Sequence, residues 1–141
     1  MVKKKDTEEL LKILNDWKGL EDKTIAFSEG FLKKSKNALV RMTMEMIKRD
    51  SQKHKVMLQA AIDHMTKEAM HISPDELFPL ADTLDKHVEA EAKSMALANA
   101  ALMKSKDFFV RYIVSYLSTD EAKHHEMLNR LDQIRRRMYP Y

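Results

Sequence analysis

The chain has 141 residues, 25 basic and 22 acidic for a formal net charge of +3, with no cysteine, two glycines and three prolines. That length fits one domain, and the scarcity of glycine and proline excludes collagen, turn-dense sandwiches and flexible linkers, while eleven methionines and abundant Leu, Ala, Lys and Glu favour an all-α fold. Without cysteine there can be no disulfide, thiolate nucleophile, thiolate-held zinc or iron–sulfur cluster, which leaves His and carboxylates as the only strong metal ligands.

A first helix opens at Asp6-Thr7-Glu8-Glu9, where Asp6 can cap and Glu9 can return the bond of a capping box. Leu10, Leu14, Trp17, Glu21, Thr24, Ser28 and Phe31 follow at helical spacing to an end near Lys33. After the link Lys34-Ser35-Lys36, Asn37 can cap a second helix whose inner seam reads Val40, Met44, Ile47, Ser51, His54, Leu58, Ala61 and Met65. The two prolines of 71–79 place the main connection there, with one short helical turn. A third helix runs from about Leu80 to Lys104 with Leu80, Leu84, His87, Glu91, Met95, Ala98 and Leu102 inward, and a fourth from Asp107 to about Met138. The segment from Phe108 to Leu117 is apolar on nearly every side of that fourth helix, which predicts a homodimer interface or a face covered by the crossover.

No uncharged run approaches the ~18 apolar residues of a membrane span. The start Met1-Val2-Lys3-Lys4-Lys5 leads into charge rather than a signal-peptide core, so the reading is a cytoplasmic protein with no membrane partner. The basic clusters Lys3 to Lys5 and Arg135 to Arg137 read as solvated ends rather than a nucleic-acid surface.

Sliding the chain by 70 residues aligns 10–58 with 80–128 without a gap, and sixteen of those 49 positions are identical. They include Glu21 with Glu91, Lys34-Ser35-Lys36 with Lys104-Ser105-Lys106, Val40-Arg41 with Val110-Arg111, and Asp50 and His54 with Asp120 and His124. Two amphipathic hairpins of unrelated origin would not share the same Glu, Asp and His at matching sites. The expectation is a single domain over 1–141, a four-helix bundle built from repeat one, about 7–69, and repeat two, about 77–138, joined by a crossover near 70–79. If the hairpins run up-down-down-up, that crossover must span roughly 30–40 Å, and about ten extended residues reach only ~35 Å. A simple up-down-up-down bundle is the topological alternative.

Glu21 and Glu91 stand where helical periodicity calls for apolar side chains, and a buried ionised carboxylate requires a cation or a raised pKa. His54 and His124 lie on the inner seams of the second and fourth helices, and Glu121 precedes His124 by three residues on the same face. A carboxylate from each of two helices and a Glu-x-x-His from each of the other two holds two divalent iron or manganese ions in a bundle. This chain has five of those six ligands, with Ser51 in the sixth place.

On these residues, from about Leu10 to Leu131, the chain resembles the ferritin-like di-iron carboxylate superfamily, in particular rubrerythrins and bacterioferritins. The resemblance implies that Glu21 and His54 hold one metal, Glu91 and His124 the second, and that Glu121 bridges. It also implies that Asp50 accepts from His124 and Asp120 from His54, fixing the imidazoles. Ser51 cannot supply the second bridging carboxylate, which makes the Glu21 site the weaker one. His87, four residues before Glu91, is either an extra ligand compensating for Ser51 or a core histidine bonded to a neighbour.

The function expected from this set is iron or manganese binding, most simply two irons, with redox chemistry on dioxygen or hydrogen peroxide of the rubrerythrin peroxidase or ferroxidase type. Because the chain has no cysteine it has no rubredoxin-type centre, so a peroxidase would draw electrons from an external donor. The alternative is a non-enzymatic metal-binding or structural protein whose degenerate site holds one metal, zinc, or none.

Overall fold

The computed structural model describes residues 4–138, and it is all-helical among them. Four long helices account for most of the chain: α1 (Lys4–Lys34), α2 (Ala38–Thr66), α4 (Ala81–Lys104) and α5 (Phe108–Met138), with a short α3 (Pro74–Leu77) and a 3₁₀ turn (Phe78–Leu80) leading into α4. Lys3 and the side chain of Arg137, from the two basic clusters, lie outside the described residues. No helix among those described is long and apolar enough to cross a membrane.

The contacts divide the chain between Met70 and His71 into two compact units, each an antiparallel pair of long helices. The first pairs α1 with α2, and the second pairs α4 with α5. Both joints are built alike, and the repeat in the sequence explains why. In the first, the Asn37 side chain caps α2 by accepting from the amides of Leu39 and Val40 at 3.0 and 3.1 Å, while its own amide donates to Ser35 Oγ at 3.2 Å. Arg41 then reaches back to the carbonyls of Leu32 and Ser35, which the end of α1 leaves without helical partners. In the second joint Asp107 caps Val110 at 2.9 Å and donates its amide to Ser105 Oγ at 3.3 Å, and Arg111 binds the carbonyls of Leu102 and Ser105. The identities Ser35/Ser105, Val40/Val110 and Arg41/Arg111 are therefore the parts of one clasp.

One local expectation changes. Helix α1 already begins at Lys4, so Asp6 lies inside its first turn instead of capping it, where its charge still complements the positive end of the helix dipole. Within the first hairpin, α2 covers only part of the periodic run of α1. Glu21 and Ser28 are buried, whereas Leu10, Trp17 and Phe31 are 44, 50 and 52% exposed. A single partner helix covers one narrow stripe, and the flank Leu10, Ile13, Trp17, Leu20, Phe27 and Phe31 falls beside it.

Among the described residues, the buried apolar ones are Leu58 and Ile62 in the first unit and Leu77 and Leu84 in the second. Each unit closes its open end with the residues that follow or precede its long helices. Met70 lines a pocket with Leu10, Leu14, Ala61 and Met65, and its amide donates to His64 Nδ1 at 2.7 Å. Leu77 and Leu80 line another with Leu84, Leu128 and Leu131. The Ser73 amide donates to Glu76 at 2.7 Å, which starts α3 and holds the Glu76 carboxyl below its usual pKa. On α5, Phe108, Phe109, Val110, Tyr112, Ile113 and Leu117 are all exposed, with Phe108 edge-on to Phe109 at 5.5 Å.

Candidate metal centre

The repeat places one polar cluster halfway along each hairpin, and the two clusters differ in kind. In the first, Glu21 on α1 faces Ser51 and His54 on α2, and its carboxylate is surrounded by donors. Trp17 Nε1 donates to Glu21 Oε1 at 3.0 Å, from one turn earlier on the same helix. His54 Nδ1 lies 3.1 Å from the same oxygen, and the Ser51 hydroxyl adds a third hydrogen bond. Burial pushes the Glu21 carboxyl up, but the bonds from Ser51, His54 and Trp17 outweigh it and hold its pKa below the ordinary 4.5. This half satisfies its own charge.

In the second, Glu91 on α4 faces Glu121 and His124 on α5. One ligand atom from each of these three residues lies within 4.8 Å of the others, a spacing at which a single cation can touch all three. Glu91 is held far less well than Glu21. Its Oε1 stands 3.4 Å from His87 Nε2 and 3.7 Å from His124 Nδ1, and its buried Oε2 has no hydrogen-bond partner. The Glu121 pKa is raised above 4.5, first because a proton on Glu121 can be shared with Glu91, then through burial and the Glu91 charge, with His124 opposing. Two carboxylates that repel each other and an orphaned oxygen describe a place that lacks positive charge. Hard oxygen donors with one imidazole suit Fe²⁺, Mn²⁺ or Zn²⁺, and the residues present fit such an ion.

The sequence-predicted residues thus fall into two sets. Glu91, Glu121 and His124 converge within the second unit, and Glu21 and His54 meet within the first. Within its hairpin His87 has a side chain 58% exposed, with Nε2 3.4 Å from Glu91 Oε1. Asp50 and Asp120 each lie 2.9 Å from the lysine three residues on, Lys53 and Lys123. His125 is half-buried and 3.2 Å from Asn129. Sequence reasoning missed the role of Trp17, which was placed on the seam only as an apolar residue. Its position four residues before Glu21 is the signal that an indole N–H can reach that carboxylate.

Arg135 and Arg136 are engaged in ion pairs away from the cluster. Arg135 pairs with Asp132 at 2.5 Å and Asp85 at 3.6 Å, and Arg136 with Asp132 at 2.8 Å. Comparison with protein-family models, curated proteins and solved structures finds no match to this chain.

Proposed function

We propose that the protein is a ferritin-like metalloprotein that binds iron or manganese through Glu91, Glu121 and His124 in the middle of a four-helix bundle, each hairpin being half of such a bundle. The observation that carries this reading is the buried, partnerless Glu91 Oε2 inside a cluster of three ligands, on residues that the internal repeat also singles out. Uncovered apolar flanks such as Leu20, Phe27 and Phe31 on α1, and Ile113 and Leu117 on α5, support the bundle, because a lone helical pair leaves them in water.

Bound iron would supply electrons to dioxygen or hydrogen peroxide, and an external donor would restore them. The chain's own contribution is to hold the ligands, to neutralise the paired carboxylates, and to keep His87 beside Glu91 as a group able to give or accept a proton at its Nε2. A non-catalytic reading, with one metal in a structural role, is favoured by the first hairpin, where Glu21 is already satisfied by Trp17, Ser51 and His54.

Anaerobic titration with Fe²⁺, followed by exposure to oxygen or peroxide, separates the two. Rapid oxidation of bound iron supports the redox reading, whereas tightly held, oxidant-insensitive metal supports the structural one. In the same titration His124→Ala should lower affinity at least tenfold, in line with loss of a direct ligand, while His54→Ala changes it little. Equal losses would count against the asymmetry between the hairpins.

A further inference from the structure

We infer that the metal centre is completed by a second copy of this chain, the second hairpins of two copies pairing about a twofold axis so that each contributes Glu91, Glu121 and His124. The inference rests on the metal-binding reading above and names the partner that reading requires.

Three ligands from one hairpin are half of a two-metal carboxylate set, whose full complement is two lone glutamates and two Glu-x-x-His pairs. Within this chain the only other candidate half is the first hairpin, and it falls short in two ways. Ser51 stands where the second bridging carboxylate belongs, and Glu21 Oε1 already takes hydrogen bonds from Trp17 and His54. The second hairpin of another copy has neither shortfall, since Glu121 supplies the carboxylate and Glu91 Oε2 takes no hydrogen bond. Two such halves supply all six ligands, and a twofold axis makes the pairing self-complementary.

The face around the ligands is suited to a like partner. Leu97 on α4 and Leu117 and Met127 on α5 are exposed within two turns of the three ligands. Pairing would also bring four carboxylates together, which repel until cations neutralise them. Dimerisation is therefore linked to metal, and each must strengthen the other.

The test uses the full chain with Mn²⁺ as a redox-stable probe, following molar mass by light scattering and bound metal by elemental analysis. The expected result is a twofold rise in mass on adding Mn²⁺, one Mn²⁺ per chain, and loss of both in Glu121→Gln and His124→Ala. Because the parent has no cysteine, a Leu117→Cys variant treated with a short bis-maleimide can link only to another chain, and Mn²⁺ should accelerate that link. Mn²⁺ bound by a chain that stays monomeric overturns the inference while leaving the metal reading intact. A dimer that forms equally without Mn²⁺ and survives His124→Ala uses another face and also overturns it. Failure to bind Mn²⁺ at all removes the metal reading and the inference with it.

Discussion

Glu21 and Glu121 respond to acid in opposite senses, and the difference separates the two clusters in a way that can be measured without metal. The Glu21 pKa lies below 4.5, so the stability it contributes is present above that value and is lost as pH falls through the folded pKa. The Glu121 pKa lies above 4.5, so its contribution is complete at low pH and is lost as pH rises through the folded value. In the metal-free protein Glu121→Gln should therefore melt at a higher temperature than the parent at about pH 7 and lose that advantage near pH 4, where the parent carboxyl is itself protonated. Thermal melts followed by circular dichroism at the two pH values check this, and saturating Mn²⁺ should abolish the advantage at neutral pH. The residues of both clusters were legible in the sequence because a charged side chain at an apolar register is conspicuous. That one cluster satisfies itself was not legible, since it depends on where an indole N–H and a hydroxyl point.

Elements were easier to read than contacts. Asn37 and Asp107 announced their helices, and the structure seats each side chain on the amide three residues on, at 3.1 and 2.9 Å. Replacing either by alanine should cost about 1 kcal/mol in urea unfolding, the usual value of such a cap. The boundary at Asp6 was misread because a capping-box pattern also occurs inside a helix, where the same acidic side chains favour the dipole. Periodicity gives the direction of an apolar face but not which neighbours cover it, and Trp17 and Phe31 lie on the part of α1 that α2 does not reach.

At the scale of the whole chain the all-helical class followed from composition, and the division into two hairpins from the repeat. What lies against each hairpin was not legible, because an apolar flank carries no label for its partner. Among the described residues, Leu58 and Ile62 are the buried apolar side chains in one half and Leu77 and Leu84 in the other, too few for the interior of an independent domain. A fragment ending at Met70 should thus be weakly helical when dilute and gain helix as its concentration rises, as expected for ~70 residues without a sufficient core. Helicity independent of concentration would mean that a single pair of helices is stable alone.

The clasp at the hairpin joints has a consequence for how such a centre changes over time. Glu91 precedes Asp107 by sixteen residues and Glu121 follows it by fourteen, and the same intervals separate Glu21, Asn37 and Ser51. Each helical residue advances ~1.5 Å and turns ~100°, so a joint ~21 Å away sets both the height and the phase at which a side chain meets its opposite number. Adding one residue to either joint would swing Glu121 or Ser51 off the facing helix altogether. With phase guarded from a distance, the chemistry at the midpoint is free to drift one side chain at a time, and a carboxylate in one copy can stand as a hydroxyl in the other without disturbing the frame around it.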